Sequence, residues 1–168
     1  MCTLSPDIMK QLNLPAFSFR ILHRAGKPYI FDDFRKRYVA LTPEEWVRQH
    51  FLRWLKDHLG YPGGLIAVEA SLQYNRMPRR ADAIVYGTGG KPLMIIECKA
   101  PKVAITQDVF DQVARYNYPF GVAYLAVTNG REHFCCVRDE KQETWHFLEE
   151  VPPFSGLNSS PGTAPNNE

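Results

Sequence analysis

Apolar and polar positions first follow a helical period in residues 42–59. The segment opens with Thr-Pro-Glu-Glu, in which Thr42 can cap a helix and Glu45 stands at the capping-box position. Apolar side chains then recur every three or four residues, and Gly60 with the Pro-Gly-Gly segment after it ends the pattern. This spacing predicts an amphipathic helix that packs against a sheet. Its apolar stripe consists of Val47, Phe51, Trp54, Leu55 and Leu59.

Three strand-like runs follow, at residues 65–74, 80–86 and 92–99, and a Gly-Thr-Gly-Gly turn separates the last two. The third run contains Leu-Met-Ile-Ile, and such a continuous apolar sequence is typical of a strand covered on both faces. We therefore expect this strand near the middle of the sheet, with Glu97 and Lys99 at its charged end.

The remaining pattern predicts a second helix, three more strands and an N-terminal hairpin. The helix covers about 106–118, the strands cover 121–128, 132–137 and 143–148, and the hairpin covers 17–31. The sequence thus predicts an α/β fold with a restriction-endonuclease-like core. A central mixed β-sheet is flanked by helices in the order α-β-β-β-α-β, after an N-terminal β-hairpin.

Length and composition predict one domain. A chain of 168 residues with 45% hydrophobic content can bury a single core, which we place in residues 1–151 with its centre at 42–137. Residues 152–168 are rich in Pro, Gly, Ser and Asn, which is typical of a disordered tail.

Several classes of protein lack support in the sequence. No run approaches the roughly 18 to 20 apolar residues of a membrane span, and the start lacks the order of a signal peptide, so we expect no membrane and a cytoplasmic location. No C-x-x-C pair or metal-spaced histidines indicate zinc, and no G-x-S-x-G indicates acyl transfer.

Charge is unevenly distributed along the chain. Residues 1–80 hold 13 Lys and Arg against 7 Asp and Glu, whereas residues 81–168 hold 7 against 11. A basic first half can attract phosphates beside an acidic metal site, although a solvated surface of mixed charge gives the same counts.

A carboxylate and lysine pattern carries the chemistry. Glu97 and Lys99 are two apart on a strand and therefore project from one face, where Asp82 of the neighbouring strand can join them. Converging carboxylates favour a hard cation such as Mg²⁺. A surface salt bridge is the structural alternative. A second match to the spacing, Asp139 to Lys141, lies in a polar turn, and we assign it to solvated surface.

In order along the chain, these segments resemble the PD-(D/E)XK nuclease superfamily. The matching residues are Arg-Ala-Asp-Ala-Ile-Val-Tyr around Asp82 and Ile-Ile-Glu-Cys-Lys-Ala-Pro around Glu97 and Lys99. Ala81 stands where the name of the superfamily expects proline. The next helix carries Gln112 and Tyr116, which look like the Q-x-x-x-Y motif of the exonuclease-like and restriction-type branches.

Within that superfamily, residues 28–137 most closely resemble the N-terminal nuclease domain of type I restriction enzyme R proteins, particularly the short stand-alone form. Those R proteins carry an ATP-driven motor, but Gly-Gly-Lys-Pro at residues 89–92 is not a phosphate-binding loop. The resemblance implies a nuclease without a motor of its own in this sequence.

The resemblance also implies roles for individual residues. Asp82, Glu97 and the Cys98 carbonyl would hold Mg²⁺, with Mn²⁺ as an alternative. Lys99 would stabilise negative charge and help to activate water, and Gln112 would orient that water or a phosphate oxygen. Glu44 would contribute directly or through water, and the choice between Glu44 and its neighbour Glu45 stays open.

DNA is the expected partner, together with subunits of a restriction or defence complex. Arg76, Arg79 and Arg80 are the expected phosphate contacts. The segment Arg-Lys-Arg at 35–37 fits phosphate contact or ordinary surface charge, and Glu69 could reach the site. A catalytically silent nucleic-acid-binding or assembly module on the same fold is the alternative function, and the sequence leaves open DNA or RNA and endonuclease or exonuclease.

Overall fold

A computed structural model describes residues 11–157 of the chain. Its first element is a three-stranded antiparallel sheet of β1 (Ile21–Arg24), β2 (Lys27–Asp32) and β3 (Arg37–Ala40). The turn between β1 and β2 has positive φ at both Ala25 and Gly26, 50° and 76°, as two-residue hairpin turns require. The predicted N-terminal hairpin is confirmed, and β3 extends it beyond the prediction.

Two helices and eight further strands follow. In chain order they are α1 (Pro43–Leu59), β4 (Ile66–Val68), β5 (Ser71–Tyr74), β6 (Met77–Arg80), β7 (Ala83–Tyr86), β8 (Pro92–Cys98), α2 (Gln107–Asn117), β9 (Tyr124–Thr128), β10 (His133–Asp139) and β11 (Thr144–Phe147). Six of these strands form the main sheet, in the order β11-β10-β9-β8-β7-β4. Only β8 and β9 pair in parallel, so the sheet is mixed, as predicted.

Local sequence explains both helices. The Thr42 side chain accepts a hydrogen bond from the Glu45 N–H at 3.1 Å, and Gly60 ends α1 in the left-handed conformation with φ 72°. Thr106 caps α2 in the same way through the Val109 N–H. Both predicted helices are confirmed within one or two residues at each end.

Alternation along β8 builds a core on both faces of the sheet. Met94 and Ile96 pack beneath α1, and Ile95 packs beneath α2. Both faces are therefore buried, which explains the continuous apolar run and confirms the central place of β8. By the same alternation, Glu97 and Lys99 project on the α2 face at the strand end.

The predicted strand 65–74 is interrupted, and that part of the prediction is wrong. Glu69 has φ 51°, a conformation that non-glycine residues adopt at an energetic cost, and it separates β4 from β5. The chain continues as the two-stranded β5–β6 hairpin, which lies outside the main sheet. Two hydrogen bonds, both 2.8 Å long, hold the hairpin against the β4–β7 pair at this break. The Glu69 N–H donates to the Asp82 carbonyl, and the Ala81 N–H donates to the Ala70 carbonyl.

The described chain stays packed beyond the predicted domain end. Val151 is buried, the Tyr61 hydroxyl donates to the Pro152 carbonyl at 2.8 Å, and the Phe154 ring lies 5.5 Å from the Tyr61 ring. The prediction of disorder is therefore wrong for residues 152–157, because apolar side chains anchor them. The rest of the predicted tail, residues 158–168, lies outside the described residues.

No described helix has the length and apolar content needed to cross a bilayer.

Candidate active site

The candidate site lies at the start of β7 and the end of β8, beside the break between β4 and β5. Asp82 immediately precedes β7, and its Oδ2 accepts a hydrogen bond from the Cys98 N–H at 2.7 Å. The charge of the Asp82 carboxylate acts on the nearby Glu97 carboxyl group. The structure thus places the two predicted acidic residues close together at the end of the central strand.

Electrostatics at Glu97 reflect this contact. Burial raises the pKa of Glu97 to about 8, and the charge of Asp82 acts in the same direction. The cations Arg79 and Lys99 oppose the shift. The raised pKa favours the protonated form of Glu97 at neutral pH, and a cation bound there would replace that proton.

Arg48 is a residue of the site that the sequence interpretation missed. It lies on α1 with only 7% of its side chain exposed, and it donates from Nη2 to Asp82 Oδ1 at 2.8 Å. Its Nη1 pairs with Glu45, and Glu44 lies 3.5 Å from its Nη2. The spacing of Glu44, Glu45 and Arg48 on one helix was the available signal, since residues three and four apart share a face.

The two glutamates at the start of α1 have different environments. Glu45 is buried and bonds to Arg35, Arg48 and Gln49. Glu44 is half-exposed, and its pKa is raised by burial and by the nearby charge of Asp82, while Arg48 and Lys99 oppose the shift. Of the two, Glu44 is therefore the more exposed, and its ion-pair partner is Arg48.

Arg79 reaches into the site from the β5–β6 hairpin. Its guanidinium donates to Glu97 at 2.5 Å and to the Asn117 side-chain oxygen at 2.6 Å. It also lies 3.9 Å from the centre of the Tyr116 ring, a cation–π contact. Only 10% of the Arg79 side chain is exposed, so in this structure its partners are protein groups.

An open cleft of about 630 Å³ extends from the site between α2 and the β5–β6 hairpin. Arg79, Glu97, Lys99 and Gln112 all line it, so the structure brings together four of the predicted residues. No carboxylate within residues 11–157 forms an ion pair with Lys99, whose ammonium group is left to meet a ligand. Gln112 is exposed in the middle of α2, the helix that forms one wall of the cleft.

The other predicted basic residues lie farther out. Arg80 is 66% exposed and pairs with Glu69 at 2.7 Å, and Arg76 is exposed in the turn between β5 and β6. Arg35, which the sequence left open between phosphate contact and surface charge, is held by Asp32, Glu45 and Glu69. Its position is therefore structural rather than at a free surface.

Asp139 is the last residue of β10, and its carboxylate accepts from the Lys141 and Gln142 N–H groups of the following turn at 2.9 and 3.1 Å. These bonds form a turn around the aspartate itself, and the assignment of this D-x-K spacing to a surface turn is confirmed.

The donor groups at this site are oxygen atoms, which suit a hard cation. No three His, Cys, Asp or Glu side chains among the described residues are arranged to hold a metal ion. The fitting set is two carboxylates, Asp82 and Glu97, completed by a backbone carbonyl. The Lys99 N–H donates to the Thr128 carbonyl on β9, so the Cys98 carbonyl, like its N–H, points to the opposite edge, toward Asp82. Mg²⁺ is commonly held by one or two carboxylates, with water and substrate phosphate completing its ligands.

Fold and site together define an α/β domain with a carboxylate and lysine site at the end of a central strand. A family profile described as "Type I restriction enzyme R protein N terminus (HSDR_N)" matches residues 43–152. The chain belongs to this family. The match begins and ends later than the resemblance at residues 28–137 that the sequence motifs indicate.

Among solved structures, the chain is similar to a fragment of a candidate HsdR subunit of a type I restriction enzyme from Vibrio vulnificus YJ016. The two share 18% identity with a TM-score of 0.49, over 68% of this chain and 24% of the other. This chain thus spans about a quarter of the length of that chain. No curated protein matched the sequence.

Proposed function

We propose that this protein is a Mg²⁺-dependent nuclease of the PD-(D/E)XK type that hydrolyses DNA phosphodiester bonds. One observation carries the proposal: Asp82, held by the Cys98 N–H, lies close to Glu97 at the end of the central strand, beside Lys99, which forms no ion pair with a carboxylate of residues 11–157. Membership in the family of type I restriction enzyme R protein N termini supports the same chemistry.

In this proposal Asp82, Glu97 and the Cys98 carbonyl hold the divalent cation, Mg²⁺ or Mn²⁺. The cation supplies positive charge beside the scissile phosphate and lowers the pKa of attacking water. Glu44, close to Asp82 and Lys99, adds a carboxylate directly or through water.

Two side chains on the cleft side then act on the reacting groups. Lys99 donates to the phosphate oxygens that gain negative charge, because its ammonium has no competing carboxylate partner in the described chain. The Gln112 amide orients water or a phosphate oxygen from the facing helix. Glu97 would have to release Arg79 in order to hold the cation, and the freed Arg79 guanidinium would then be available to a substrate phosphate.

A second function is favoured by the two arginines. Arg48 and Arg79 already pair with Asp82 and Glu97, so each carboxyl group has a cationic protein partner without a metal ion. An assembly or nucleic-acid-binding module that never turns over would need no more than this.

The test is cleavage of circular and linear DNA by the purified protein with Mg²⁺ or Mn²⁺. We expect cleavage by the wild type and a loss of roughly a hundredfold or more in Asp82→Ala and Lys99→Ala, since each removes charge stabilisation at the reacting phosphate. Asp139→Ala is the matched control, because it removes the aspartate of the second D-x-K spacing, and it should cleave like the wild type.

Calorimetry with Mn²⁺ separates the remaining outcomes. Metal binding that is lost in Asp82→Ala, without cleavage by the wild type, would support a nuclease that acts with a motor or specificity subunit of a restriction complex. Absence of both metal binding and cleavage would contradict the proposal and favour the module.

A further inference from the structure

The cleft beside Lys99 has two aromatic walls. Tyr116 on α2 is 59% exposed, and Tyr74 on the β5–β6 hairpin is 46% exposed although both belong to residue types that are usually better covered. The Tyr74 ring packs edge-on against Phe120 at 6.1 Å. Met77, 72% exposed, adds an apolar side chain to the same hairpin wall.

One face of the Tyr116 ring is covered by a cation of the protein. The Arg79 guanidinium lies over one ring face at 3.9 Å and is itself fixed by Glu97 and Asn117. Because the ring is nevertheless largely exposed, its accessible surface includes the opposite face. A ring held from behind with an open front face is suited to stack a planar ligand.

The charges of the lining complement a nucleotide. Arg79, Lys99 and Arg115 are basic, and Glu97 is the one acidic residue that lines the cleft. Glu97 is paired with Arg79, so Lys99 and Arg115 remain to meet phosphates. Basic groups interleaved with open aromatic faces are how proteins bind single-stranded nucleic acids.

Base pairing decides which nucleic acid can use these faces. In a duplex the base faces are stacked on each other and only the edges are accessible, so an aromatic side chain cannot stack without unpairing. An unpaired strand presents its base faces freely. The cleft, moreover, begins at Glu97 and Lys99, so a base stacked on Tyr116 adjoins the phosphate at the site.

We propose that this cleft binds unpaired nucleotides next to the phosphate to be cut, so that the substrate is single-stranded DNA or DNA with unpaired bases. The inference rests on the proposed function for its cleavage step, but binding in the cleft requires no metal and can be measured alone.

The test is fluorescence polarisation of wild-type protein in EDTA with a labelled single strand, a blunt duplex of the same sequence, and that duplex with an unpaired internal loop. We expect the single strand and the looped duplex to bind at least about tenfold more tightly than the blunt duplex. Stacking on an aromatic residue contributes on the order of 1–3 kcal/mol per base, so Tyr116→Ala should lose about tenfold in affinity for the single strand.

Two variants make the result specific. Tyr116→Phe keeps the ring and should bind like the wild type, whereas Phe147→Ala removes a comparably exposed ring, 53%, that does not line the cleft. Phe147→Ala should also bind normally. Equal affinity for single strand and blunt duplex, or an unchanged affinity in Tyr116→Ala, would overturn the inference.

Cleavage assays on the same three DNAs distinguish this failure from failure of the nuclease proposal. Equal cleavage of all three DNAs would refute the inference and leave the nuclease standing. Tyr116-dependent binding of single strands without cleavage in Mg²⁺ would support the inference and count against the nuclease.

Discussion

The two halves of the site contain the same pair of groups in different settings. Arg48 pairs with Asp82 under helix α1, where it also bonds to Glu45, and Glu45 bonds to Arg35 of the N-terminal sheet. Arg79 pairs with Glu97 at the mouth of an open cleft, and its other contacts are one amide oxygen and one ring face. The first pair is therefore part of the buried scaffold, and the second is the part that a ligand can rearrange.

This difference indicates how a site of opposed carboxylates stays folded. Asp82 is held by the fixed arginine and by the Cys98 N–H, so it stays in position whether or not a ligand is bound. Burial and the charge of Asp82 raise the pKa of Glu97 to about 8. Glu97 can therefore hold a proton, which removes the repulsion between the two carboxyl groups.

The largest expected effect is on stability, and it compares Arg48→Ala with Arg79→Ala. Removing Arg48 leaves Asp82 without its cation and leaves the buried Glu45 with Arg35 alone, and losing one partner of a buried ion pair costs about 3–5 kcal/mol. Removing Arg79 should cost only about 1 kcal/mol, because the raised pKa of Glu97 lets that group stay protonated and neutral without a cation. Urea unfolding of both variants measures this, and equal losses would show that the two halves are alike.

The next effect is the pH dependence of metal binding. Glu97 must release its proton to bind a cation, so below a pKa of about 8 the affinity for Mn²⁺ should rise with pH by roughly tenfold per unit. Above that pH it should become constant. Calorimetry between pH 6 and 9 checks the slope; a flat profile would mean that Glu97 is not a ligand or is already ionised.

The last effect is the pH dependence of the stability of Glu97→Gln. The folded protein holds the Glu97 proton more tightly than the unfolded chain does, so the stability of the wild type should fall as pH rises from about 5 to about 8. A neutral amide removes this loss. We expect the stability of Glu97→Gln relative to the wild type to rise between pH 4 and pH 8, by at most about 4 kcal/mol. Thermal unfolding at the two pH values measures the change, and its absence would show that the pKa of Glu97 is not raised in the folded protein.

Sequence reasoning succeeded where short-range rules act. The cap at Thr42, the glycine after α1 and the apolar run in β8 each determine structure within a few residues, and the structure agrees with them. The contact of Asp82 with Glu97 followed from strand alternation and adjacency. The chemical roles of these residues remain predictions.

The missed features depend on long-range packing. Nothing in the local sequence requires the positive φ at Glu69, which ends β4 and lets the β5–β6 hairpin depart from the sheet. Arg79 points inward because the hairpin places it over Tyr116 and Glu97. Its sequence neighbour Arg80 is exposed, so the local sequence does not distinguish the two arginines. In the sequence, Arg48 resembles an ordinary cation on a helix surface, and only the packing of the whole fold buries it.

The N-terminal sheet also has a consequence for exchanging this domain between proteins. A fragment cut at the limits of the family match, residues 43–152, would lose Arg35 from Glu45 and the bond from the Asn13 N–H to the Gly130 carbonyl, 2.8 Å long. It would also expose the space beside Gly130, where an added Cβ would lie 2.7 Å from Leu12. A unit for grafting onto another protein should therefore include Leu12, Asn13 and the N-terminal sheet as well as the residues of the family match.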